Sequence, residues 1–389
     1  MRTTPSGCRG GGLLPQTATV GLYVHIPYCI KKCPYCAFYS EPIEQADCRR
    51  FSAALLNELR QQSIAESAET IYIGGGSPSS LPPEVLSGLA SELHKRFHSV
   101  QEFTVECNPA QADETLLRRL RSTGVSRISI GAQSFHSQEL EVLGRIHSPK
   151  QIADAVRAAQ TAGFNNIGLD LIFGIPGSTI ENWTKTLQAA MDLNVQHIAA
   201  YSLTIEPGTP FEQAIQKGTL ALIDEQTERR MYETAQSMLA EAGFVQYEIS
   251  NFAKPGFECR HNIRYWKNLP VVGIGPAAAS WYKGLRKTNT ADVNRYISAV
   301  EAEQPAYTQY ERPSPEQTAR ETAVLNLRMI EGINLAEFHR QTGFDAIALF
   351  GKSIAVHLES GLLEQTATHQ RLSKKGLSYA DTVAEDIIL

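Results

Sequence analysis

The chain has 389 residues, 42% of them apolar and 20% charged, globular proportions that exclude wholesale disorder. At roughly 100–200 residues per domain, this length holds two or three domains, or one large α/β barrel with an appendage. Lys plus Arg total 36 against 41 for Asp plus Glu, a net charge of −5; that excludes a generally basic nucleic-acid binder, and no run of about 18 apolar residues marks a membrane span.

Residues 1–19 are rich in Gly, Thr and Pro and lack an apolar stretch, so they read as a flexible tail and not as a secretory signal. From there, β-rich runs alternate with helical patterns. The expected strands are Leu22–Ile26, Thr70–Ile73, Glu102–Glu106, Arg127–Ile130, Ile167–Ile172 and His197–Leu203. The expected helices are Phe51–Ser63, Leu86–Phe97, Glu114–Ser122, Pro149–Ala162, Ile180–Leu193 and Asp224–Ala242. Such alternation builds right-handed βαβ units on a parallel sheet.

Polar and glycine-rich features follow five consecutive strands: the cysteine cluster, Gly74–Pro78, Glu106–Pro109, Gly131–Phe135, and Asp170 with Gly174–Gly177. A barrel gathers such strand ends on one face, whereas an open doubly wound sheet concentrates them at one switch point. The pattern therefore predicts an α/β fold of the partial TIM-like, (β/α)6 kind over residues 20–250.

Beyond Ser250 the alternation weakens, and residues 251–312 read as a connecting segment that contains Cys259–Trp266. Residues 313–389 read as a small helical module. Asn334 and Glu337 fit a capping box and Gly343 the helix stop; a second helix ends at Gly361, and 361–376 fits a β-wing, giving a winged-helix-like unit. Such units often read DNA, but no basic cluster supports that here, and packing or partner binding is the plainer use.

The seven cysteines are Cys8, Cys29, Cys33, Cys36, Cys48, Cys107 and Cys259. An odd number with three in eight positions points to a reducing compartment and a local metal or redox site, and the expected location is cytoplasmic. Thiolates suit zinc or iron–sulfur centres. Zinc would want a fourth ligand, with His25 nearest in sequence; Cys33-Pro34-Tyr35-Cys36 alone would be a dithiol; three thiolates on a four-iron cluster leave one iron open for chemistry.

The spacing C-x3-C-x2-C after the first strand resembles the radical S-adenosylmethionine superfamily. The longer stretch Gly21–Cys29, with Gly74–Pro78, Glu106–Pro109, Gly131–Phe135, Asp170–Pro176, His261–Trp266 and Leu325–Leu335, resembles its HemN/HemW branch. The resemblance implies that residues 20–250 are the radical core and 313–389 a HemN-like C-terminal domain. It implies that Cys29, Cys33 and Cys36 hold a 4Fe–4S cluster whose open iron is chelated by S-adenosyl-L-methionine, the source of a 5′-deoxyadenosyl radical. It also implies that Tyr23, Tyr35, Gly76, Ser77, Glu106, Gln133, Arg145 and Asp170 contact that cofactor. A glycine loop lets backbone approach closely, carboxylates can pair with an ammonium or ribose hydroxyls, and Arg145 can fork onto a carboxylate. His261-Asn262-x-x-Tyr265-Trp266 matches a motif associated with heme in the chaperone members, which makes His261 a candidate heme ligand; the alternative is a structural loop with a hydrogen-bonded histidine.

Two readings follow. Phe38 stands where the branch's dehydrogenase carries a fourth cysteine, and only 28 residues precede Cys29, where that enzyme has a longer extension. Both departures favour a heme chaperone that delivers heme to an acceptor the sequence does not identify, with a respiratory protein among the options. The alternative is oxygen-independent oxidative decarboxylation of coproporphyrinogen III propionates, so enzymatic activity stays open. No nucleic-acid partner is expected, and the C-terminal module is free to form a homodimer.

Overall fold

The computed structural model describes residues 19–62, 64 and 67–388; the expected tail, apart from Thr19, and Cys8 lie outside the described residues. Six parallel strands lie side by side in chain order: β1 (Val20–Ile26), β2 (Ala68–Gly75), β3 (Glu102–Cys107), β4 (Arg127–Gln133), β5 (Ile167–Phe173) and β6 (His197–Ser202). Winding in one direction without reversal makes an arc of a barrel; a doubly wound sheet would reverse at a switch point.

The crossovers run through α1 (Cys48–Gln61), α2 (Pro83–Arg96), α3 (Glu114–Ser122), α4 (Ser137–Val142), α5 (Pro149–Thr161) and α6 (Ile180–Asp192). α7 (Pro210–Gln216) and α8 (Glu225–Glu241) follow β6. Several starts are fixed by side-chain caps: Asp47, Asp113, Ser148 and Thr179 each accept from a backbone N–H three residues on, which satisfies a donor that the helix itself leaves open.

The strands alternate in character. Leu22, Val24, Ile71, Ile73, Phe103, Val105, Ile128, Ile130, Leu169 and Leu171 are buried in one core together with helix residues such as Leu55, Leu86 and Leu117. The opposite face carries Tyr23, Tyr72, Thr104 and Arg127 in register across β1 to β4, because paired residues of adjacent parallel strands share a face. His25, Thr70, Glu106, Ser129, Asp170 and His197 lie on the same face by alternation. The inside of the arc is therefore polar.

β7 (Val245–Gln246) and β8 (Asn251–Ala253) add antiparallel strands beyond β6. After the short helix α9 (Arg260–Trp266), β9 (Val271–Ile274) pairs parallel to β1. β10 (Ala279–Tyr282), β11 (Leu285–Asn289), α10 (Val293–Glu301) and β12 (Tyr307–Glu311) complete that side. The twelve-stranded order is β12-β11-β10-β9-β1-β2-β3-β4-β5-β6-β8-β7, and the sheet does not close. Residues 251–312, read above as a connecting segment, thus supply five strands of the main sheet.

The C-terminal module comprises α11 (Pro315–Leu327), β13 (Ile333–Asn334), α12 (Leu335–Thr342), α13 (Ala346–Glu359), β14 (Leu363–Gln365), β15 (His369–Leu372) and α14 (Ala380–Ile388). Its sheet runs β13-β15-β14, and its own core includes Phe338, Phe350, Ile354, Leu363 and Val383. The Asn334 side chain accepts from Glu337 N at 3.0 Å, and Gly343 and Gly361 sit at φ 79° and 69° where their helices stop.

Candidate cofactor site

The three clustered cysteines lie on the loop between β1 and α1. All three are free thiols and half-buried. Burial pushes the Cys29 thiol up to about 11, and the neighbouring Cys36 and Cys33 sulfurs push the same way, so as thiolates the three would repel one another without a cation between them. One zinc ion would draw its sulfurs to about 3.8 Å of each other. Among the described residues no three His, Cys, Asp or Glu side chains converge as ligands of a single metal ion. Three thiols on one loop suit three corners of an iron–sulfur cluster. His25 is not an available fourth ligand: its Nδ1 meets the Tyr23 hydroxyl at 3.1 Å and its Nε2 the Tyr39 carbonyl at 3.2 Å. Phe38 is 66% exposed.

The loop is held by backbone. Gly76 N donates to Ile26 O and Ser77 N to Tyr28 O, both at 2.8 Å, which ties the glycine loop after β2 to the start of the cysteine loop. A Cβ at Gly76 would lie 2.7 Å from Tyr28 O and 3.1 Å from Cys29 Sγ. Gly144 (φ 66°) makes room in the same way for Pro34, whose Cδ would lie 2.6 Å from an added Cβ. α7 backs the loop from outside, where Phe211 N donates to Pro34 O and the Tyr35 and Phe211 rings lie 6.1 Å apart.

Arg145 bridges the loop to the sheet. Its Nη1 lies 3.5 Å from Cys33 Sγ, its Nη2 donates to Gly131 O at 2.9 Å, and its buried Nε has no protein partner. That spare donor beside the thiols suits an anionic ligand group. Gln133 sits at φ 68°, in the left-handed region, where a register shift bends the end of β4. Such a bulge re-aims the side chains at a strand end.

Glu106 lies on the inner face of β3. Its Oε1 accepts from the Tyr72 hydroxyl at 2.7 Å and its Oε2 from Gly75 N at 3.2 Å. Burial raises its carboxyl to about 7; the two hydrogen bonds oppose that, and the nearby Asp170 adds to it. Asp170 accepts from Ser129 Oγ at 3.2 Å, and its carboxyl is raised by burial and pulled back by Arg127. Tyr23 stands beside Tyr72, ring centroids 6.2 Å apart. Two carboxylates, a guanidinium and a glycine loop thus gather on the inner face of the arc beside the thiols, a chamber for short, with the donor and acceptor set that an amino-acid-bearing nucleoside needs.

Arg127 lies below Asp170, 1% exposed, with Nε and Nη1 unpartnered. Neither it nor Tyr72 is singled out by motif. Their signal is periodic: buried parallel strands usually read as continuous apolar runs, yet these alternate polar and apolar.

The floor of the chamber is α9. His261 is 1% exposed; its Nδ1 meets Thr70 Oγ1 at 2.8 Å, its ring stacks on Tyr72 with centroids 5.1 Å apart, and its Nε2 is buried without a partner. Burial drives its imidazole down to about 3, with Arg264 and Arg127 adding to the shift, so it is neutral at physiological pH. The sequence offers His261 as a heme ligand; in this arrangement its imidazole is covered, Nε2 included.

Comparison with known proteins accounts for this arrangement. The Radical SAM superfamily model matches residues 23–190, and the HemN C-terminal domain model matches 314–379. A protein named heme chaperone HemW from Bacillus subtilis is 34% identical over 91% of this chain and 95% of its own length. HemW from Escherichia coli is 37% identical over 67% of this chain and 69% of its own length. A mitochondrial radical S-adenosyl methionine domain-containing protein 1 from Danio rerio is 31% identical over 95% of this chain and 86% of its own. The solved structure of coproporphyrinogen III oxidase, HemN, from Escherichia coli shares the fold with a TM-score of 0.82 at 20% identity, covering 95% of this chain and 90% of that one. The cysteine loop, the polar inner arc and these likenesses agree: the chain belongs to the radical SAM superfamily and, within it, to the family of proteins named HemW.

Proposed function

We propose that the protein is a heme chaperone: it binds heme, passes it to an acceptor protein, and carries a 4Fe–4S cluster on Cys29, Cys33 and Cys36 with S-adenosyl-L-methionine bound beside it. The likeness that carries the reading is the 34% identity to a heme chaperone over 95% of that protein's length. Phe38, in place of a fourth cysteine, supports it from the sequence.

When bound, the cluster would supply an electron to the sulfonium of the cofactor. The chain's own residues hold and orient. Glu106, fixed by Tyr72 and Gly75, would accept from the cofactor's amino group. Arg145 would offer its spare Nε to the carboxylate. Gly76 and Ser77 bring backbone close, Tyr23, Tyr35 and Gln133 wall the pocket, and Asp170 stands where ribose hydroxyls could donate to it. Residues 20–250 would then be the cofactor-bearing core, and 313–389 a module for a donor, an acceptor or a second copy. The free cysteines suit a reducing, cytoplasmic setting, and among the described residues no helix is long and apolar enough to cross a membrane.

The test is anaerobic reconstitution with iron and sulfide followed by heme titration. A stoichiometric Soret band, with heme then passing to an apo-heme protein, is the expected outcome; a fully reconstituted sample that takes up no heme would end the proposal. The alternative, decarboxylation of coproporphyrinogen III, rests on the same intact chamber.

A further inference from the structure

We infer that α9 is a positioning element of the S-adenosylmethionine site: the His261 ring sets Tyr72, Tyr72 orients Glu106, and the C-terminal module braces the helix from behind. This rests on the reading of the chamber given above, and it assigns His261 a role other than iron ligation.

Tyr72 is the one side-chain donor to Glu106 among the described contacts, so the place of its ring decides where that carboxylate points. The ring is located by its neighbours. His261 stacks at 5.1 Å and 27°, and Tyr23 lies at 6.2 Å. Tyr265, one turn along α9, meets His261 edge-on at 5.2 Å, as residues four apart on a helix do. Aromatic contacts of this kind fix orientation as well as adding attraction. A neutral imidazole suits the post, because a cation there would attract the carboxylate it helps to place.

The helix is itself clamped at both ends. At its start, Glu102 of β3 accepts from Arg260 N at 3.0 Å and His261 N at 3.1 Å. In its middle, Arg264 pairs with Glu69 of β2 at 2.5 Å and donates to Pro270 O at 3.0 Å. Its far end meets the C-terminal module. Asn326 donates to Trp266 O at 2.9 Å, the Arg328 guanidinium lies 4.6 Å over the Trp266 ring, and Asn268 donates to Thr322 Oγ1 at 2.9 Å. Gln341 donates to Lys267 O at 3.0 Å. One short helix therefore spans from the module to the residue pair that faces the cofactor.

The test uses full-length protein with its cluster reconstituted, as wild type, His261→Ala, His261→Phe and Tyr72→Phe. Anaerobic calorimetry reads S-adenosylmethionine affinity, the cluster's electron paramagnetic resonance reads whether the cofactor engages it, and heme titration reads the competing role. H261A should bind the cofactor about three- to tenfold more weakly and blunt the spectral change, the range of a lost aromatic contact. H261F, which restores a ring, should recover most of both, and its heme titration should follow wild type. Y72F keeps the ring and loses the hydroxyl, so it should weaken the cofactor as H261A does; it also carries the test if H261A does not fold. Wild-type cofactor affinity in H261A or Y72F overturns the inference. So does H261F losing heme while keeping the cofactor, which would return the ring to heme. A wild-type protein with a full cluster and no cofactor binding would instead end the reading of the chamber, and the inference with it.

Discussion

Replacing Glu106 with glutamine tests the electrostatics of the chamber. Burial holds this carboxyl at about 7, even though the Tyr72 hydroxyl and Gly75 N both favour its ionised form. Between pH 8 and pH 6 its ionised fraction then falls from about nine-tenths to about one-tenth, a tenfold change worth ~1.4 kcal/mol. The sign is fixed by chemistry: only the ionised form accepts twice at full strength from an amino group, so acid weakens the cofactor. Wild-type S-adenosylmethionine affinity should therefore fall about tenfold more steeply than that of Glu106→Gln across this interval. The glutamine keeps the shape and carries no titrating proton, and its affinity should lie near the acid limit of wild type throughout. The cofactor's own amino group titrates in both proteins, so the difference between the two profiles isolates Glu106. Calorimetric titrations at pH 6, 7 and 8 on cluster-loaded protein read it. Parallel profiles would refute the argument.

Three further outcomes follow from the geometry. Cys33→Ala should lose cluster iron after reconstitution while the far-ultraviolet circular dichroism stays unchanged, because the thiol sits half-buried on a loop outside the main core. Gly76→Ala should cost about 1–3 kcal/mol of unfolding free energy, since its Cβ would press on the Tyr28 carbonyl at 2.7 Å, a backbone atom that cannot swing away; urea denaturation measures it. Arg264→Leu should cost about 2 kcal/mol, because it takes the guanidinium away from Glu69 and Pro270 O, which among the described residues keep only Thr19 Oγ1 and Gly21 N as donors, in a partly buried site; a loss below about 1 kcal/mol in the same assay would show that α9 is not clamped there.

The six parallel strands were legible because each is a short β-rich run between helical patterns, five of them with a polar or glycine-rich exit, and the structure moves most of their ends by no more than two residues. Helix ends were legible where a chemical stop exists, as at Asn334 and Gly343. The cysteine loop was legible from spacing alone. The strands between residues 251 and 311 were not, because they are three to five residues long and β12 is exposed along its whole length, so it carries no buried-face pattern. α9 was invisible as a helix: its seven residues contain no apolar period, and its stability comes from Glu102, Glu69 and Asn326, which lie far away in sequence. Tyr72 and Arg127 were missed for a related reason. Their meaning depends on which face of a strand looks inward, and register across neighbouring strands sets that face.

The most direct measurement of the central claim divides one anaerobically reconstituted sample. One half is titrated with heme and then mixed with an apo-heme acceptor; the other receives coproporphyrinogen III, S-adenosylmethionine and a reductant, and its products are separated. Heme uptake and transfer with no decarboxylated product is the result expected here. Decarboxylated product, dependent on Cys29, together with no heme uptake, would contradict the account and make the protein a biosynthetic enzyme.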